Sequence, residues 1–484
     1  MNATARRLTA RFGLHRRAAV RVRPGAERVS RRRMPRRRRW LDRFGWYEAR
    51  PSGQWTTTRQ AEALNTAVTR STPQLFGIPC GLNQISKEVV VIDQFAQYGI
   101  AGDAGITAGL VVIIADMGTG KSSLCKTQFA VRQMIPYRQA VILDKKRQSG
   151  RGEYTQIARD LGAASVVFEV GGSGACINPM DPAISASGEH TNAEPGAVPP
   201  GQEALIAAII QDPLPRPMTP REYALLGAAL DAVNGEAAAD GREPVIGDLA
   251  HRLLNPRPED AEGLGPDWPA RFEEWRTWGH EIGITLQRLA ERDLKGLVDR
   301  PTSPEVREAL ETHPFVHFDL SALPTSGPAV RVVMSVINTW LANRLVLRSK
   351  QFRQTVLVVE EAWHVAQGST GEVFLSSAKQ SRGTGLSIVA AFHHPADVDP
   401  VSPAYSLMRE ASIVFVGRQS RADDAKAVCD IYHFPPGTED TLMRLPKGRF
   451  LVKMGSMDPF LLEHVRSPQE VLWTDTDAAM RGHQ

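Results

Sequence analysis

The chain has 484 residues, with 58 Lys and Arg against 53 Asp and Glu, 42% hydrophobic residues and four cysteines. That length suits roughly three average domains or one large α/β domain with an insertion, and no run approaches the ~18 to 20 apolar residues of a bilayer-spanning helix, which argues against a membrane anchor. Cys80, Cys125, Cys176 and Cys429 lie far apart without zinc-ligand or disulfide-framework spacing, so they read as reduced thiols.

The net charge of +5 hides an asymmetry: residues 1–43 hold 16 Arg, no Lys and only Glu27 and Asp42 as acids, a charge of +14, which leaves −9 for the rest. The run "RRRMPRRRRW" cannot bury a core, and residues 1–45 read as a disordered Arg-rich tail. Nucleic-acid phosphates or anionic lipid headgroups suit it as partners. A solvated tail, a start codon placed too far upstream and a targeting peptide compete with that reading. The last fits poorly, for there is no apolar segment of signal-peptide length.

Residues 46–105 read as a small mixed segment with one strand at "KEVVVID". From there, short runs apolar on both faces alternate with helical patterns: "GLVVII", "QAVILD", "ASVVFEV", "FVHFDL", "TVLVVE", "LSIVAAF" and "ASIVFVG". Strands of this kind belong to a parallel sheet covered by helices, and the alternation predicts a doubly wound α/β fold over 106–184 and 314–465. The pair "GRFLVKMG" and "DPFLLEHV" suits an antiparallel hairpin closing one edge, and 466–484 reads as a tail. Between them, 185–313 begins as a Gly, Pro, Ser and Glu-rich loop and continues with apolar residues at helical spacing, which predicts an all-helical insertion. Thr219 and Pro220 are placed there as N-cap and first-turn proline.

After "GLVVII" comes "ADMGTGKSS", Ala115 to Ser123, the phosphate-loop pattern with Ala115 in place of the first Gly. Asp116, Met117, Gly118, Thr119 and Gly120 form the loop, whose backbone N–H groups converge on a β-phosphate because glycines permit the turn. Lys121 is placed to bridge β- and γ-phosphates and Ser122 to ligate Mg²⁺, with Ser123 beside it. In "TVLVVEEAWHV" the strand delivers Glu360 and Glu361 to the sheet edge where ligands sit in open α/β folds. Glu360 is placed as a metal-associated carboxylate and Glu361 to orient the attacking water; the plainer alternative is two acids capping the next helix.

Seven blocks across about residues 75–465, including "VVIIADMGTGKSSL", "GACINPMDP", "LVVEEAWHV", "SAKQSRGTGLSIVAAFHHPAD" and "RLPKGRFLVKM", resemble in sequence and order the conjugative transfer ATPases (VirB-type, TraC-like) of type IV secretion systems. These belong to the HerA/FtsK superfamily of P-loop NTPases. The resemblance implies a RecA-like sheet, ATP and Mg²⁺ as cofactors, and a hexameric ring at the cytoplasmic side, peripheral at the inner face of the membrane, with other secretion-apparatus subunits as partners. It assigns Glu360 and Glu361 as the Walker B pair, matches Asn178, Pro179 and Asp181 to an N-P-x-D element, and places Asp144 at the end of the second strand. Arg382 falls in the block that carries an arginine reaching the neighbouring subunit's nucleotide. Two residues depart from the pattern: Glu360 stands for Asp, and His393 for a Gln that senses the γ-phosphate. A DNA translocase of HerA, FtsK or coupling-protein type is one alternative function, and a nucleotide-binding scaffold that no longer hydrolyses is another.

Overall fold

Strand periodicity of two sets the architecture of the computed structural model, which describes residues 77–475 apart from 149, 173, 183–197, 199–200, 261–268, 348–353 and 365–367. The Arg-rich tail and residues 46–76 lie outside the described residues. In chain order the strands are β1 (Pro79–Asn83), β2 (Val89–Val91), β3 (Leu110–Ile114), β4 (Arg138–Asp144), β5 (Arg147–Gln148), β6 (Arg151–Gly152), β7 (Ala164–Val167), β8 (Phe315–Asp319), β9 (Gln354–Val359), β10 (Leu386–Phe392), β11 (Ile413–Val416), β12 (Arg449–Met454) and β13 (Phe460–His464). Eleven of them form one sheet in the order β2-β1-β13-β12-β11-β3-β10-β9-β4-β8-β7, while β5 and β6 make a separate two-stranded ribbon. From β11 to β7 neighbouring strands run parallel, as the apolar runs predict.

The C-terminal hairpin departs from expectation. β12 and β13 do pair antiparallel, but they lie inside the sheet, because β1 adds to β13 and β2 adds to β1. Gly81 permits that pairing: it faces His464, and a Cβ there would collide with the Glu463 carbonyl.

Alternate residues of each central strand feed two cores. Leu110, Val112 and Ile114 of β3, Val141 and Leu143 of β4, and Leu357 and Val359 of β9 face one side. Val111 and Ile113, Ala140 and Ile142, and Val356 and Val358 face the other. The first core includes helices α3 (Gln202–Gln211), α4 (Pro220–Ala239), α5 (Ile246–Leu254) and α7 (His280–Arg288), which with α6 (Phe272–Trp278) and α8 (Pro304–Thr312) lie between β7 and β8 in the chain. α4 starts as its sequence predicts, with the Thr219 hydroxyl accepting from Glu222 N, the Glu222 carboxylate accepting from Thr219 N, and Pro220 in the first turn. Later helices are α9 (Ala329–Leu347), α10 (Gly368–Thr384), α11 (Pro403–Glu410) and α12 (Ala422–Tyr432). No helix among the described residues is long and apolar enough to cross a membrane.

On the second face lie α1 (Lys121–Leu124) and α2 (Thr155–Asp160). The residues after the loop, "LCKTQFAVRQMI", have helical spacing, yet α1 widens into a looser turn at Cys125–Ala130. The widening accompanies burial of Lys126, whose ammonium lies 3.2 Å from Glu153 Oε2. Phe129 anchors this segment to the sheet: it meets Phe415 edge-on at 5.6 Å, and Phe415 meets Phe450 at 6.2 Å. We expect Phe415→Ala to lower unfolding free energy by about 3–5 kcal/mol, because the two neighbouring rings cannot collapse into the cavity. A denaturant titration in which the midpoint falls at constant slope checks this.

Candidate functional site

The loop from Ala115 to Gly120 leaves β3 between the ends of β10 and β11. Ala115 N donates to Phe392 O at 3.3 Å and Asp116 N to Arg418 O at 3.1 Å, so the chain leaving each neighbouring strand holds the start of the turn. Gly118 and Gly120 have φ of 73° and 112°, the left-handed backbone that glycine adopts without strain. Inside the turn, Thr119 Oγ1 donates to Asp116 O at 2.8 Å, and Gly448 N to Thr119 O at 2.8 Å. Ala115 fits where the pattern has Gly because its methyl faces Gly417, where a Cβ would come within 2.7 Å of it.

Lys121 leaves this loop only 3% exposed; its Nζ donates to Phe392 O at 3.3 Å and lies 2.7 Å from His393 Nε2. Burial, with the neighbouring Lys146 charge, pushes it down from 10.5 to about 7 against the pull of Glu361. Glu360 follows β9 directly and is buried, its Oε1 accepting from Tyr154 Oη at 2.5 Å. Burial opposes its ionisation, but Lys146, Lys126 and the Tyr154 and Ser122 hydroxyls hold it below the usual carboxylate range. Glu361 accepts from Trp363 Nε1 at 2.7 Å and lies 3.3 Å from His393 Nε2. It too is held well below the usual range: burial opposes this, and the His393 contact with the Lys146 and Lys121 charges outweighs it. His393 thus stands between the loop lysine and the second carboxylate. Its one ring nitrogen faces an ammonium that requires an acceptor and a carboxylate that requires a donor, so it satisfies only one of them at a time.

Lys146, which the sequence did not single out, lies 3.3 Å from Glu360 Oε2 and 3.2 Å from Glu361 Oε1, and donates to Ser122 Oγ at 2.9 Å. Nothing in "DKKRQSG" marks it, because the spacing of Lys145 and Lys146 gives no sign that the first donates to Leu323 O and the second enters the site. Tyr154 and Lys126 escaped for the same reason. The Asp144 carboxylate accepts from Tyr154 N at 2.9 Å and lies 3.0 Å from His317 Nε2.

Asn178 Nδ2 donates to Glu243 Oε1 and to Pro244 O, each at 2.7 Å, and Asp181 pairs with Arg307, so the polar contacts of this element tie the end of the third parallel run to the helical segment. Arg382 lies in α10; its side chain is outside those described. Asp116, His394 and Asp424 bring one ligand atom each within 4.8 Å of one another, but Asp424 is already engaged by His394 at 2.9 Å, Ala396 N at 3.1 Å and Arg421 at 3.6 Å. That cluster braces the loop through hydrogen bonds, with Asp116 Oδ2 accepting from Ser420 N at 2.5 Å.

The sheet order, the glycine turn and the carboxylates at the strand ends define a RecA-like P-loop α/β fold. A solved structure with this fold is VirB4 of Thermoanaerobacter pseudethanolicus, 22% identical, covering 82% of this chain and 98% of that one with a TM-score of 0.61. Plasmid coupling protein TrwB in complex with ADP and Mg²⁺ matches at 13% identity over 82% of this chain and 96% of its own, with a TM-score of 0.46. The genome packaging NTPase B204 from Sulfolobus turreted icosahedral virus 2 matches at 8% identity over 74% and 99%, with a TM-score of 0.36. No family model and no curated protein matches the chain.

The lysine at the centre gives a pH signature. Folding lowers the pKa of Lys121, so between about 7 and 10.5 the unfolded chain binds the extra proton and the stability this group allows rises with pH. Replacing it with the neutral, similarly long Met removes that penalty. We expect Lys121→Met to melt above the parent chain near pH 7, the gap narrowing as pH approaches 10.5. Melting curves across that range check it; a gap independent of pH contradicts it.

Proposed function

We propose that the chain is a Mg²⁺-dependent ATPase working as a homo-oligomeric ring, taken as a hexamer, that powers conjugative DNA transfer or type IV secretion. One observation carries this: Lys121, Ser122, Glu360, Glu361 and His393 are linked by contacts of 2.7–3.3 Å through one another and Lys146, at the end of a glycine turn. Likeness of fold to VirB4 agrees with it.

The residues fit the cofactors. Ser122 Oγ and the Glu360 carboxylate are hard-oxygen donors of the kind Mg²⁺ accepts beside phosphate oxygens, and would hold it. When bound, the ion neutralises charge on the β- and γ-phosphates. The loop N–H groups from Met117 to Ser122 bind the phosphates, with room above Gly118, where nothing lies within 4 Å of a Cβ position. Lys121 donates to phosphate oxygens in place of Phe392 O. Glu361, fixed by Trp363 and ionised at neutral pH, orients the water. His393, in contact with both Lys121 and Glu361, couples the phosphate side of the site to the water side. Arg382 is proposed as the residue supplied to the neighbouring subunit's nucleotide. Other secretion-apparatus subunits are proposed as partners, at the cytoplasmic face of the membrane. The 16 Arg of residues 1–43 favour a second reading, a motor that also grips DNA through its tail.

ATP turnover measured against protein concentration, with and without DNA, tests the proposal. We expect Glu361→Gln to retain nucleotide while lowering kcat by about 10²–10⁴-fold, as removal of a water-positioning carboxylate does. Arg382→Ala should lower it by about 10³–10⁵-fold and abolish the rise of specific activity with concentration. Negligible turnover by the unmodified chain with nucleotide still bound overturns the motor reading and favours the scaffold. DNA stimulation favours the translocase.

A further inference from the structure

Lys146 stands where a divalent ion would stand. Its ammonium has three N–H donors and meets three oxygens: Ser122 Oγ at 2.9 Å, Glu361 Oε1 at 3.2 Å and Glu360 Oε2 at 3.3 Å. The hydroxyl and the Glu360 carboxylate are the donors assigned above to Mg²⁺, which binds oxygens at about 2.0–2.1 Å. An ammonium and an ion of that size cannot share these oxygens, and two cations in one pocket repel.

The surroundings suit a cation that is required yet removable. Glu360 is 1% exposed, and a buried carboxylate without a cation is costly. Of the other lysines near the acids, Lys126 is held by Glu153 at 3.2 Å and Lys121 is turned to Phe392 O and His393, so Lys146 makes the direct contacts with both acids. Its backbone is pinned, Lys146 N donating to Asp144 Oδ1 at 3.2 Å, whereas the ammonium rides on a flexible four-carbon stem in a side chain that is 23% exposed. The side chain can therefore withdraw while the strand ends stay in place.

We propose that Lys146 is a built-in counter-cation for the metal position: it holds Ser122, Glu360 and Glu361 together, keeps free divalent cations out, and yields only when the metal arrives with nucleotide. The nucleotide matters because its phosphate oxygens offer the displaced ammonium a new anionic partner. Lys146 thereby sets the order of ligand addition. This rests on the ATPase reading for the identity of the nucleotide, but the exclusion of metal by Lys146 does not depend on turnover.

The test uses Mn²⁺ alone as a spin-active probe, titrated into the full nucleotide-free chain and followed by electron paramagnetic resonance. Lys146→Met, which keeps length and removes charge, is expected to bind Mn²⁺ at least tenfold more tightly than the unmodified chain. Lys146→Arg should show no gain, and Glu360→Gln added to Lys146→Met should abolish it. Lys146→Gln, able to hydrogen-bond Ser122, serves as a second neutral variant should the Met protein melt below assay temperature; its melting temperature should climb with Mn²⁺ while that of the unmodified chain stays flat. Equal Mn²⁺ affinity in the unmodified chain and in a folded neutral variant overturns the proposal. Binding of a fluorescent ATP analogue, measured separately, reports on the ATPase reading: its failure there leaves the Mn²⁺ comparison intact.

Discussion

Three carboxylates stand in register at the carboxyl ends of three neighbouring parallel strands, and the structure around the site answers to them. Asp144 ends β4 and pairs with Asp319 at the end of β8; Val359 pairs with Leu143, which brings Glu360 level with Asp144. All three are buried. Such a row is tolerable only if each charge meets donors or a cation. The segment from Lys145 to Tyr154 supplies most of them: Lys146 N and Tyr154 N to Asp144, Gly152 N to Asp319 Oδ2 at 3.0 Å, and Tyr154 Oη with Lys146 Nζ to Glu360. His317, between Ser165 Oγ and Asp144, completes the set. The β5–β6 ribbon and the residues flanking it, Lys146 and Tyr154, thus lay a cap of donors over a row of acids. Gly152 has to be glycine in that cap, since a Cβ would press on the Asp144 and Asp319 carboxylates together.

The same register explains why the loop and the acids meet. Phe392 pairs with Ile114, so His393 leaves β10 beside Ala115, and Glu360 leaves β9 one strand further on. Parallel strands end on one edge of the sheet, and the groups they deliver converge there whatever the distance along the chain. Lys121 and His393 are 272 residues apart in sequence and 2.7 Å apart in space.

How much of this the sequence made legible follows from which signals are local. The phosphate loop, the buried strands and the Thr219 cap are written in consecutive residues, and periodicity or turn chemistry reads them directly. The position of the hairpin within the sheet was not legible, because it depends on β1, whose pairing with β13 joins Gly81 to His464 across the chain. The looser turn at Cys125–Ala130 was hidden too, for it accompanies a buried Lys126 whose partner, Glu153, lies in another element. Of the site, the loop lysine and the paired glutamates were visible as a motif, while Lys146, Tyr154, Trp363 and His317 were not. A lysine two residues past a strand is ordinary in sequence; register alone sets it against Ser122.

Seen beside that cap, the longer side chain at 360 has a physical reading that the sequence alone did not suggest. Asp would be one methylene shorter, and its oxygens would fall short of two partners that Glu360 engages at once, Tyr154 Oη at 2.5 Å and Lys146 Nζ at 3.3 Å. Both oxygens of Glu360 are matched, one to a hydroxyl and one to a cation, as buried carboxylates require. On the proposed exchange of cations, that extra reach would let the carboxylate stay anchored through Tyr154 while its second oxygen turns from Lys146 to the incoming ion, with no movement of the strand end.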